Sequence, residues 1–134
     1  MYDVLAVSVD GSWADPLLLG PLPWPHTWYY GPAWSLDGSA LAVEVCKSSD
    51  DAACMPDASI ATAKADGSGL TMLPTRGMAS QPTWSPGGRV IAYTSRGCGD
   101  STCGEAIRYV RLGTGDGDII VTNGHSPAWR PAVP

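Results

Sequence analysis

Four cysteines are the residues here best equipped for covalent chemistry, and they fall in two pairs, Cys46 with Cys54 and Cys98 with Cys103. Neither pair has the Cys-x2-Cys spacing of a zinc knuckle, so a four-thiolate zinc site is the weaker reading. Each pair instead brackets a short stretch where the chain must turn back, which brings two Cα atoms within bridging range. Two local disulfides are expected, and on a chain-entropy model each would contribute roughly 2 to 2.5 kcal/mol. Disulfides persist in oxidising compartments, which points to a periplasmic, extracellular or cell-surface protein.

Other reactive types are sparse. The two histidines, His26 and His125, have no motif around them. Ser35 and Ser85 lack the Gly-x-Ser-x-Gly elbow that would expose a nucleophile, and they read as turn residues whose hydroxyls bond nearby backbone. No phosphate loop, dinucleotide fingerprint or acid–base carboxylate pair is evident, so no catalytic residue and no cofactor is assigned and the chain is expected not to be an enzyme. Gly113-Thr114-Gly115-Asp116-Gly117-Asp118 and the acidic stretch of Asp50, Asp51 and Asp57 are the nearest approach to a hard-cation loop, with calcium as the ion. Hairpin turns need the same residues, and neither stretch has EF-hand spacing.

The bulk composition bounds the partners. Hydrophobic residues make up 44% of the 134 and charged residues 16%, enough apolar material for one modest folded domain. Sixteen glycines and twelve prolines punctuate short runs, while six Trp and five Tyr supply bulk without a single Phe. That balance favours short strands over long helices. The formal charge is −5 with only eight Lys and Arg, scattered, so no basic stripe exists to neutralise phosphates or anionic lipid. Nucleic acid is excluded as a partner, and no run is long and apolar enough to predict membrane insertion.

What positions these residues is a repeat. Gly31-Pro32-Ala33-Trp34-Ser35-Leu36-Asp37-Gly38 aligns with Gln81-Pro82-Thr83-Trp84-Ser85-Pro86-Gly87-Gly88, and Ser126-Pro127-Ala128-Trp129 opens a third copy. Each copy predicts a β-hairpin: a Pro-x-Trp strand, a tight glycine turn, and a strand of small and β-branched residues. Third strands follow at Val4–Val9, Ser59–Ala65 and Ile107–Leu112, and fourth strands at 16–19, 70–73 and 119–122. Four strands per unit, with Trp34, Trp84 and Trp129 as anchors 50 and then 45 residues apart, is the blade pattern of an all-β propeller. The predicted layout is a partial blade at 1–20, full blades at 31–80 and 81–126, and the first strand of another at 127–134. Blades bury their faces only against neighbours, so this is an incomplete ring. It is expected to be part of a longer propeller, to close a ring with copies of itself, or to form one unit of a polymer.

One segment interrupts the pattern. Pro21-Leu22-Pro23-Trp24-Pro25-His26-Thr27-Trp28-Tyr29-Tyr30 carries three alternating prolines, which hold the chain extended and stiff. It reads either as a rigid loop capping the first full blade or as an aromatic contact patch of Trp24, His26, Trp28, Tyr29 and Tyr30 for a partner or carbohydrate.

The motif Pro-x-Trp-Ser-Pro-x-Gly-x-x-Ile-Ala-Tyr, with Ala-Asp-Gly-Ser-Gly and a Leu-rich strand behind it, resembles the TolB-like (WD-like) β-propeller repeat family. Leu36, Gly87 and Arg130 depart from its usual turn Pro, turn Asp and Ser. The resemblance implies a non-catalytic extracytoplasmic module for protein–protein interaction. Two alternatives stand beside it: a self-assembling subunit of an extracellular fibre or surface array, and the accessory propeller of a peptidase whose catalytic residues lie outside this sequence.

Overall fold

The computed structural model describes residues 4–12, 14–17, 19, 26–48, 58–98 and 103–131. Ten strands run through them in chain order: β1 (Val4–Val7), β2 (Ala14–Leu17), β3 (His26–Trp34), β4 (Ala40–Ser48), β5 (Ala58–Lys64), β6 (Thr71–Met72), β7 (Met78–Trp84), β8 (Val90–Cys98), β9 (Cys103–Arg111) and β10 (Gly117–Thr122). They form a two-stranded sheet β1-β2 and two four-stranded meanders, β3-β4-β5-β6 and β7-β8-β9-β10, with every pairing antiparallel. These are propeller blades in an incomplete ring within one chain. The meanders are called the first and second full blades below.

The blades begin earlier than the repeat motif suggests. β3 starts at His26 and β7 at Met78, upstream of Gly31 and Gln81. A register shift between Tyr30 and Ala33, and its counterpart between Ser80 and Thr83, hides this continuity. Both are bulges centred on a residue followed by proline, where the missing N–H does no harm to the ladder. Residues His26–Tyr30 therefore belong to the innermost strand and pair with Glu44–Ser48, rather than forming a loop.

Strand alternation builds two cores on opposite faces of the first full blade. Leu41, Val43 and Val45 of β4 and Ala61 of β5 pack with Val4, Leu17, Leu19, Tyr29, Leu70 and Met72, towards the β1-β2 sheet. Ala42 and Ile60 point the other way and join Ala79, Trp84, Ile91, Tyr93 and Val110 of the second full blade. Because each face meets a neighbour, β4 carries apolar residues at nearly every position instead of at alternate ones. On the outer strand of the second full blade, by contrast, Ile119, Ile120 and Val121 of β10 are 40 to 50% exposed.

The hairpin turns repeat as closely as the strands. Gly38 N–H donates to the Ser35 carbonyl and Gly88 N–H to the Ser85 carbonyl, both at 2.9 Å. The φ angles of these glycines are +72° and +67°, a region that a Cβ disfavours. Ser35 Oγ accepts from Ala40 N–H at 3.0 Å and Ser85 Oγ from Val90 N–H at 3.1 Å, so both hydroxyls are held in the turn.

Candidate functional site

The repeat anchors are the parts that join blades. Trp34 lies opposite Leu41 and Trp84 opposite Ile91, equivalent places on successive sheets. Trp84 Nε1–H donates to the Ala33 carbonyl at 2.9 Å, and Trp129 Nε1–H donates to the Thr83 carbonyl at 3.1 Å. Ala33 and Thr83 are both the middle residue of Pro-x-Trp. Each indole thus reaches back to the carbonyl just before the preceding indole.

A second bond repeats beside the first. Gln81 N–H donates to Glu44 Oε1 at 2.7 Å, and Ser126 N–H donates to Thr94 Oγ1 at 2.8 Å. Glu44 and Thr94 hold the same place on the second strand of their blades, ten residues after the anchor Trp. The N–H is aimed across the junction because the residue before proline turns left-handed in all three copies, at φ +53° for Gly31 and Gln81 and +54° for Ser126. Such a conformation costs of order 1 kcal/mol for a non-glycine residue and persists where neighbours over-determine it. At Gly31 there is also no room, since an added Cβ would sit 2.5 Å from Glu44 Oε1. Around the second junction Gln81 Oε1 accepts from Thr94 Oγ1 at 2.8 Å and from Ser126 Oγ at 3.1 Å.

Between the full blades, where β4 and β8 end, a groove encloses about 300 Å³. Tyr30, Glu44, Met78, Ser80, Arg96 and Glu105 line it, so a mostly apolar wall carries two carboxylates and one guanidinium. Alternation divides the aromatic strand: Trp28 and Tyr30 pair with Cys46 and Glu44 on one side, while Tyr29 packs into the core towards β1-β2. Burial there pushes the Tyr29 phenol above its ordinary value. The sequence-derived patch is therefore not one surface. Trp24 lies outside the described residues, as does the side chain of His26.

Cys46 and Cys103 are each engaged in a disulfide, and the strand register sets the backbone of Cys98 directly opposite that of Cys103. Cys54 lies outside the described residues. Around the glycine-rich turn, Asp118 Oδ1 accepts from Ile119 N–H at 2.7 Å and Thr114 Oγ1 from Asp116 N–H at 3.3 Å, which are ordinary turn contacts. The acidic loop of Asp50, Asp51 and Asp57 is outside the described residues, and among those described no cluster of three or more His, Cys, Asp or Glu could hold a metal. His125 Nδ1 lies 3.0 Å from Ser126 Oγ on the surface.

Carboxylates in the turns form a further repeated device. Asp37 Oδ1 accepts from Ser35 Oγ, Ser39 N–H and Ser39 Oγ at 2.7 to 3.0 Å. Asp10 accepts from Ser8 Oγ and Ser12 N–H, and Asp66 from the N–H and Oγ of Ser68. These bonds favour the ionised form, holding Asp10 and Asp37 at about 2 and Asp66 below its ordinary value. The recurring Asp-Gly-Ser, preceded by Ser-x in two of the three copies, is its signal in the sequence.

No family model matches the chain, and no curated protein matches it. Among solved structures, an acylaminoacyl peptidase in complex with Z-Gly-Gly-Phe-chloromethyl ketone shares the fold at a TM-score of 0.50 and 14% identity, over 72% of this chain. The match spans 14% of that protein's length. At this identity the likeness speaks to the propeller fold alone.

Proposed function

We propose that this chain is a non-catalytic propeller module that mediates protein–protein interaction outside the cytoplasm, working without a cofactor, as its TolB-like repeat implies. One observation carries the reading: the two full blades are locked by the same pair of cross-junction bonds that recurs at Ser126 and Trp129. That locking makes a rigid platform and leaves the groove beside Tyr30, Glu44, Arg96 and Glu105 open to a partner segment. The hydroxyls of Ser35 and Ser85, by contrast, are engaged in their own turns. Disulfides Cys46–Cys54 and Cys98–Cys103 would staple the two loops at the groove end of the blades, consistent with an oxidising compartment.

Two measurements test this. A peptide library panned against the purified chain and against a Tyr30→Ala/Arg96→Glu variant should yield ligands specific to the former; ligands indifferent to the change would move the interaction elsewhere. Peptide mapping of non-reduced protein should recover the two local disulfides, and any other pairing would refute the staples. A second reading, favoured by the structural neighbour, makes the chain the accessory propeller of a peptidase. On either reading the purified chain should not cleave acyl-peptide substrates, and turnover by it would overturn both.

A further inference from the structure

The connection between β6 and β7, residues 73–77, is pinned to the face that the second full blade turns towards the first. Arg76 N–H donates to Tyr93 Oη at 3.0 Å, and Ser95 Oγ donates to the Arg76 carbonyl at 2.6 Å. Both anchors are buried, Tyr93 being 2% exposed. Gly77 completes the constraint, since its φ of +66° and the nearby Arg96 carbonyl oxygen leave no room for a side chain. The backbone of Arg76 is thereby fixed while the residue stays exposed.

Beside this connection lies a cavity of about 150 Å³, lined by Arg76, Tyr93 and Arg108. Arg108 is opposite Tyr93 in the register, so the two side chains leave the same face of the sheet. Tyr109 and Asp118 also border the cavity, but they pair with each other, and alternation sends their side chains to the opposite face. Neither arginine has an ion-pair partner among the described residues. Tyr93 Oη, which accepts from Arg76 N–H, gives its own proton to no acceptor among them. A buried hydroxyl with an unused donor is costly, and its natural complement is an oxygen acceptor. Two guanidiniums beside it, in a chain of net charge −5, concentrate positive charge at one place.

We propose that this cavity binds a tetrahedral oxyanion, phosphate or sulfate, through Arg76, Arg108 and the Tyr93 hydroxyl. Donors from three separate segments distribute over the oxygens of a tetrahedral ion, whereas a planar carboxylate is already satisfied by a single guanidinium fork. The same two arginines line an adjoining cleft of about 620 Å³, where Gly97 faces Gly104 without side chains. That cleft has room for the organic part of a monoester, so the oxyanion has two sources, the free ion and the terminal group of a small ester. Neither arginine lines the groove beside Tyr30, and the site goes beyond the interaction reading above.

The probe is sodium phosphate, titrated at a constant ionic strength of about 0.1 M into the full chain labelled with 15N at arginine. The Nε–H signals of Arg76 and Arg108, assigned from Arg76→Gln and Arg108→Gln, should shift together and saturate. Each of these substitutions should weaken binding about tenfold, and Tyr93→Phe about fivefold. Arg130→Gln removes the same charge elsewhere and should leave binding unchanged, while acetate should bind about tenfold more weakly than phosphate. Phenyl phosphate separates the sources: affinity at or above that of phosphate assigns the site to an ester, and weaker binding assigns it to the free ion. No saturable shift at the two arginines, equal weakening by Arg130→Gln, or equal binding of acetate overturns the proposal. Tyr93→Phe also removes the acceptor of Arg76 N–H, so its Tm is measured alongside; if it unfolds, the two arginine variants decide.

Discussion

Replacing Trp84 with Phe isolates the energetic weight of one blade junction. The substitution removes three side-chain heavy atoms from a site 9% exposed and deletes the donor to the Ala33 carbonyl. Two of those atoms are carbons and the third is the donor nitrogen, so lost apolar burial comes to about 1.6 kcal/mol, at about 0.8 kcal/mol per carbon-sized group. The hydrogen bond adds about 1 kcal/mol. A destabilisation of about 2.6 kcal/mol corresponds to a fall in Tm of about 9 °C for a chain of this length, from an unfolding entropy of about 2.1 cal/mol/K per residue. Trp34→Phe is the internal control, because the same ring sits 44% exposed with no acceptor among the described residues. Its hydrogen-bond contribution vanishes and its burial contribution is roughly halved, leaving about 0.8 kcal/mol and a fall of about 3 °C. Scanning calorimetry on both variants decides. Equal falls would refute the claim that the indole bond and neighbouring blade, rather than the tryptophan itself, set the stability.

Three further outcomes follow from the same geometry. Asp10 and Asp37 titrate at about 2 when folded against an ordinary 3.8, so their contribution is full above the ordinary value and is lost as pH falls through about 2; Ser39→Ala should shrink this acid sensitivity in a Tm series from pH 6 to pH 2. Gly77 has φ +66° and an added Cβ would lie 2.7 Å from the Arg96 carbonyl oxygen, so Gly77→Ala should cost about 1 to 3 kcal/mol in urea unfolding, with an unchanged midpoint refuting the strain. Glu44→Ala removes the acceptor from the Gln81 N–H and should cost about 1 to 2 kcal/mol, whereas Glu44→Gln keeps an acceptor and should recover most of it in the same assay.

Much of the fold was legible because it is local. Alternating apolar runs, glycine turns and a recurring Pro-x-Trp are properties of short segments, and by themselves they place the hairpins, the four-strand unit and the equivalence of Trp34 and Trp84. The unit's starting point was misjudged, since a bulge at Gly31 and at Gln81 breaks the alternation halfway along β3 and β7. The aromatic patch was misjudged for a related reason: once His26–Tyr30 is strand, neighbouring side chains must point to opposite faces, and Tyr29 leaves the company of Trp28 and Tyr30.

Residue types and spacing determined that this chain builds repeated four-stranded sheets with a tryptophan at a fixed place in each. Tertiary structure alone decided what each tryptophan does there. The partner of Trp84 is a backbone carbonyl 51 residues away and the partner of Gln81 N–H is a carboxylate 37 residues away. Backbone carbonyls are the same in every residue and carry no sequence signature, so only the stacking of one sheet on the next reveals which indole is satisfied and which is left facing solvent.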